Sequence, residues 1–176
     1  MLQGERVRLR LVREADLERM YDFHEDIRNR GEFYPVGVSG WPAFRDRYEK
    51  TGFWEQKEGT LIIAGDGDAM LGHIEFFGTV GYLDEIELGY ILYSSDNAGR
   101  GIATEAVRLL SGYLFGRLKV NRIRLVIHPG NAASRRVAEK AGFTFEGVSR
   151  GAWYHQGRNH DVEIWALLRD EHQSSG

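Results

Sequence analysis

The chain has 176 residues, 42% of them hydrophobic and 28% charged, with a formal net charge of −3 and no cysteine. That length suits one well-cored domain, and the charge gives no basic field to recruit nucleic acid or anionic lipid. The lack of cysteine excludes disulfides, thiolate metal sites and a covalent cysteinyl-acyl route.

The first ten residues, MLQGERVRLR, carry charges where a signal peptide needs its apolar stretch. No later run approaches the roughly 20 apolar residues that span a bilayer, so the expectation is a cytoplasmic protein without a membrane partner. Residues 5–12 alternate, Val7, Leu9 and Leu11 against Arg6, Arg8 and Arg10, which predicts a half-buried strand with a charged outer face. Residues 14–28 space Leu17, Met20, Tyr21, Phe23, His24 and Ile27 as a helix does. Glycines, Pro35 and the aromatics Phe33 and Tyr34 make 29–40 a loop, and 41–54 read as a second short helix. Those aromatics either line a ligand pocket or pack as a lid on the core. Strands follow at 60–64, 70–79 and 84–93, joined by tight turns such as Gly65-Asp66-Gly67-Asp68, and so form an antiparallel meander. A helix over about 99–115 buries Ile102, Ala106, Val107, Leu110, Tyr113 and Leu114. After a strand at 122–127, a helix at 131–141 is closed by Gly142, which suits a left-handed cap. Strands at 144–148, 151–154 and 161–168 complete one domain over 1–170, with a flexible tail at 171–176. The chain contains no internal repeat.

The stretch 85–105, EIELGYILYSSDNAGRGIATE, organises the rest. Strand, glycine turn, helix aims unpaired N–H groups and the positive end of a helix dipole at one point, where a pyrophosphate fits. Glycine lets the backbone close on the anion. A Walker loop would need Gly-Lys-Ser/Thr at its end, and a dinucleotide fingerprint would need glycine where Thr104 stands.

Ala98-Gly99-Arg100-Gly101-Ile102-Ala103 resembles the (Gln/Arg)-x-x-Gly-x-(Gly/Ala) loop of the GCN5-related N-acetyltransferases (GNAT), although Ala98 departs from the usual first residue. Residues 131–143, NAASRRVAEKAGF, resemble the second signature of that family, with Asn131, Ser134, Gly142 and Phe143 in register. Phe145-Glu146-Gly147, Tyr154, Gly157, Asp161 and Trp165 extend the likeness toward the RimJ/RimL and spermidine branches. The resemblance implies a single-domain α/β fold: a mixed, largely antiparallel sheet flanked by helices, whose central strands splay around an acyl-pantetheine arm. It implies acetyl-CoA as acyl-donor cosubstrate and no metal. The pyrophosphate would meet Ala98, Gly99, Arg100, Gly101, Ile102, Ala103 and Thr104. A backbone N–H on the Tyr90–Tyr93 segment would polarise the thioester, with Ile91, Leu92 and Tyr93 beside the cofactor. Asn131 would fix the pantetheine while also capping its helix. The tyrosine that usually protonates the thiolate is replaced by Ala138, which leaves Ser134 as the substitute, with water as competitor and Tyr154 as a weaker candidate.

Transfer to an amine needs that amine unprotonated. An α-amine of pKa about 7.7–8 is partly neutral at pH 7, whereas one near 10.4 needs a base. Glu87, two residues before Gly89 and on the same strand face as Glu85, is the candidate base, the alternative being a solvated charge. Tyr34, His73, Glu75, Glu85 and Tyr154 are the candidate acceptor contacts, with a structural role as the alternative for His73. The chain thus reads as an N-acetyltransferase acting on a protein N-terminus, a polyamine or a small amine. The competing reading is a non-catalytic acetyl-CoA sensor or partner subunit. Exposed edge strands leave room for a homodimer.

Overall fold

The computed structural model describes residues 2–35 and 37–173. Its strands are Leu2–Gln3 (β1), Arg8–Leu11 (β2), Glu58–Ala64 (β3), Met70–Gly78 (β4), Glu85–Leu92 (β5), Arg122–Ile127 (β6), Thr144–His155 (β7) and Arg158–Leu168 (β8). They form one sheet in the order β1-β2-β3-β4-β5-β6-β8-β7. The α-helices are Leu17–Glu25 (α1), Trp41–Thr51 (α2), Ile102–Arg117 (α3), Ala132–Lys140 (α4) and Arg169–Gln173 (α5). None of them is long and apolar enough to cross a membrane.

Alternation sorts the strands onto two faces. Leu9, Leu61, Ile63, Ile74, Phe76, Ile86 and Leu88 point one way, into a core shared with Ala106, Leu110 and Leu114 of α3 and Ala138 of α4. Ile62, Ala64 and Met70 point the other way, against Leu17 and Met20 of α1 and the aromatics Trp41, Phe44 and Tyr48 of α2. Each fully buried aliphatic side chain stabilises by about 1.5–3 kcal/mol, so both layers are firmly seated. The mixed sheet flanked by helices is the fold expected.

That second helical layer corrects one expectation. Arg10, assigned to a solvated face, is 4% exposed, whereas Leu11 is 42% exposed. The Arg10 guanidinium forks onto Asp16 at 2.6 and 2.8 Å and reaches Asp68 at 2.7 Å, which makes its burial tolerable. The C-terminal strands differ too. The segments expected at 144–148 and 151–154 are one strand, β7, whose pairing with β8 shifts register between Phe145 and Gly147 and between Ser149 and Trp153. Residues 171–173, expected in a flexible tail, continue α5. The rest of that tail, 174–176, lies outside the described residues.

The feature that positions the site lies at the centre of the sheet. β5 and β6 are parallel and pair only through Glu85–Arg122, Ile86–Ile123 and Glu87–Arg124, whereas every other neighbouring pair of strands is antiparallel. Beyond Glu87 the two strands part, and the gap opens on both faces of the sheet.

Candidate active site

A cavity of about 750 Å³ fills that gap, lined by Leu88–Leu92 of β5, Arg124–Ile127 of β6, the glycine loop and one side of α4. Backbone parity supplies its donors. The Tyr93 N–H is bonded to Leu71 O at 2.8 Å, so the odd-numbered amides of β5 face β4 and those of Leu88, Tyr90 and Leu92 face the gap. The β4–β5 pairing keeps one register from Gly72–Leu92 to Gly78–Ile86, so no bulge is needed to aim them. Ile91 and Leu92 line the cavity as expected. Tyr93 does not: its amide is committed to β4, and its ring stacks on Phe23 at 4.2 Å between centroids.

The glycine loop closes one end. Gly99 (φ 73°) and Gly101 (φ 81°) are both left-handed, a conformation that disfavours a Cβ. Gly101 begins α3 with no side-chain cap, so the first-turn N–H groups of a 16-residue helix are left for a ligand. A Cβ at Gly99 would meet nothing within 4 Å, so the loop presents open space. These features fit a pyrophosphate. Ala98, Gly99, Gly101, Ile102, Ala103 and Thr104 line the cavity, but Arg100 lies outside its wall. On the α4 side of the wall the cations are instead Arg136 and Lys140, one turn apart.

On the α3/α4 face, Asn131 caps α4: its Oδ1 accepts from the Ser134 N–H at 3.0 Å, and it also lines the cavity. Tyr90 comes across from β5 and its O–H donates to Ser134 Oγ at 3.1 Å. Burial pushes the Tyr90 phenol up to about 12. Ala138 is fully buried in the core, one turn beyond Ser134.

The opposite face is acidic. Glu75 and Glu87 both line the cavity, and burial pushes both carboxyls above their ordinary range, against Arg124 in the case of Glu87. Arg124 binds one oxygen of Glu87, Oε2, through Nε at 2.9 Å and Nη2 at 2.8 Å. Glu75 lies across from Gly89, where a Cβ would approach its Oε1 to 3.0 Å. Tyr34 folds over it from the loop before α2, its hydroxyl 3.3 Å from Glu75 Oε1 and 3.2 Å from His73 Nε2. His73 Nδ1 in turn lies 3.0 Å from the Tyr93 hydroxyl. One proton arrangement satisfies the whole chain: Tyr93 donates to His73, His73 to Tyr34, and Tyr34 to Glu75.

Three expected acceptor contacts are placed differently. His73 is 1% exposed and stands behind Tyr34, held neutral because burial pushes its imidazole down to about 3. Glu85 is buried in ion pairs with Arg122 Nε (2.6 Å) and Arg124 Nη1 (3.0 Å), the parallel register having set these arginines beside it. Tyr154 is 70% exposed, and its neighbour Trp153 lines the cavity instead. Trp153 joins Ser149 and Ala152 at the wall, in the part of β7 where the ladder with β8 shifts register.

A through-sheet gap, an uncapped helix start over paired left-handed glycines, and strand amides facing the gap define an acyl-CoA-dependent transferase architecture. Residues 6–144 match the Acetyltransferase (GNAT) domain family. The chain is 36% identical over 129 residues to the Probable N-acetyltransferase YjcK of Bacillus subtilis, covering 73% of this chain and 68% of that one. It is 31% identical over 176 residues to the "Putative ribosomal N-acetyltransferase YdaF" of the same organism, covering 96% and 94%. Its fold superposes with a TM-score of 0.82 on the spermidine N-acetyltransferase of Vibrio cholerae solved with CoA and spermine, at 19% identity and covering 97% and 99% of the two chains. The chain belongs to the GNAT acetyltransferase family. It is an acetyl-CoA-dependent N-acetyltransferase, and the reading of a sensor without turnover gives way.

Proposed function

We propose that the acceptor is a primary amine arriving as a cation, and that it enters from the Glu75/Glu87 face while the CoA thiol departs on the Tyr90/Ser134 face. The observation that carries this reading is the pair of half-buried carboxyls on one side of a gap whose other side presents hydroxyls. Two carboxylates in a low-dielectric wall attract an ammonium group and disfavour an acidic acceptor. Glu87 is the base: Arg124 engages its Oε2, and Oε1 takes the ammonium proton directly or through water. The amine then attacks the thioester carbonyl, which is polarised by a gap-facing amide of β5. Polyamines are the acceptor class that the acidic wall supports first, as for the Vibrio cholerae relative bound to spermine. A protein N-terminus is the second class, favoured by the near full-length match to YdaF.

The test is thiol release from acetyl-CoA with spermidine, N-terminal peptides and acidic amines, across pH, for wild type, Glu75→Gln and Glu87→Gln. The cationic amines should be preferred, and Glu87→Gln should slow turnover by roughly 10²-fold, most at low pH where little amine is neutral. Preference for an acidic amine would sink the acceptor assignment. Equal rates for Glu87→Gln and wild type would remove Glu87 as base.

A further inference from the structure

Tyr90 has a place in the site that the acceptor chemistry does not use. Even-numbered residues of β5 point toward α3 and α4, so its ring packs against the core cluster that includes Ala138. Its hydroxyl emerges at the cavity wall 3.1 Å from Ser134 Oγ, and both side chains line the cavity. Ser134 is anchored through its backbone N–H to Asn131 Oδ1, so its Cβ is fixed and its hydroxyl rotor is the remaining freedom. A lone serine near a helix start turns that rotor toward water or back to a main-chain carbonyl.

We propose that Tyr90 is a positioning residue for thiolate departure: by donating to Ser134 Oγ it occupies one lone pair and leaves the Ser134 hydrogen directed into the cavity, at the sulfur. The role rests on the acetyl-transfer chemistry above. When the amine nitrogen bonds to the acetyl carbon, the C–S bond breaks and its electron pair goes to sulfur. Ser134 donates a hydrogen bond to that thiolate, which takes its proton from solvent on release, while Glu87, having passed the ammonium proton to solvent, takes the second proton from nitrogen. The phenol, pushed up to about 12, keeps its proton beside a thiol of ordinary pKa near 8.5, and so remains a donor throughout. The device depends on two elements meeting. β5 brings the phenol and α4 the serine.

Single-turnover acetyl transfer and acetyl-CoA affinity would be measured for wild type, Tyr90→Phe, Ser134→Ala and the double variant. Hydrolysis of acetyl-CoA, which needs the same thiolate departure but no amine, would be followed in parallel. Phenylalanine keeps the ring and its packing, so binding of CoA should stay within about twofold while the transfer rate falls roughly tenfold or more. Because Tyr90 acts through Ser134, the double variant should be no slower than Ser134→Ala. Multiplying losses in the double variant, or an unchanged rate in Tyr90→Phe, would overturn the proposal. If wild type transferred to none of the amines, the acceptor reading would fail, and the same cycle read on hydrolysis would still decide the role of Tyr90.

Discussion

Glu85 and Glu87 occupy the same face of one strand, yet their surroundings give them opposite work. Parallel pairing sets Arg122 beside Glu85 and Arg124 beside Glu87, and Arg124 reaches both carboxylates. Glu85 faces two guanidinium groups with 6% of its surface exposed, whereas Glu87 opens onto the cavity. Glu85→Gln should therefore lower stability by about 1–3 kcal/mol, since a charged hydrogen bond is lost in a buried setting. Arg122 retains Glu146 at 2.7 Å and Arg124 retains Glu87, which keeps the loss moderate. The same change should leave KM for the amine within about twofold, a small fraction of the tenfold that 1.4 kcal/mol of lost binding produces. Denaturant titration and steady-state kinetics on one preparation check both halves. A large rise in KM with unchanged stability would return Glu85 to the acceptor site.

At the scale of elements, the site is a strand that loses its partner and a helix that starts without a cap. Gly101 is the hinge between them, and its φ of 81° costs an L-residue about 1–2 kcal/mol. Gly101→Ala should raise the Kd for CoA roughly tenfold, because the loop must shift and its amides then miss the pyrophosphate. Calorimetric titration of CoA checks this, and an unchanged Kd would mean that side chains, not the helix start, hold the anion. This part of the site was legible in the sequence because glycine spacing reports backbone conformation directly. The Asn131–Ser134 cap was legible for a similar reason, being a contact over three residues. Contacts between distant elements were not. Tyr90 meets Ser134 across 44 residues, and nothing in the local pattern of β5 distinguishes a core tyrosine from one whose hydroxyl reaches α4. The choice of Trp153 over Tyr154 falls where β7 shifts register against β8, and such an irregularity is set by pairing with a distant strand rather than by the local pattern. Arg10 escaped for a related reason: alternation gives the two faces of a strand but not which of them a later helix will cover.

Across the whole molecule, the two helical layers depend on pH in different degrees. The α3/α4 layer is packed by apolar side chains, while the α1/α2 layer closes over a buried histidine. His73 on the sheet lies 5.0 Å from the ring of His24 on α1, and burial pushes their imidazoles down to about 3 and about 4. Both are neutral when folded at pH 7. Once unfolded, an imidazole regains its ordinary value near 6.5 and takes up a proton below it. The unfolded state therefore binds more protons between pH 6.5 and the depressed folded values, so stability rises with pH through that window and falls on acidification. From pH 6.5 to 5 the loss attributable to His73 alone is about 1.6 kcal/mol, because the unfolded imidazole is half protonated at pH 6.5 and the slope reaches 1.36 kcal/mol per pH unit only well below it. The consequence reaches the acceptor wall, because a charged His73 could no longer accept from Tyr93 while donating to Tyr34, and Tyr34 covers Glu75. His73→Gln should be less stable than wild type at pH 7, having lost a fitted ring between two tyrosines, yet its unfolding free energy should fall less steeply from pH 7 to pH 5. Urea titrations at pH 7, 6 and 5 on both proteins would test this. Parallel slopes would mean that acid acts through the carboxylates of the arginine networks, and that the histidine between the layers is a spectator.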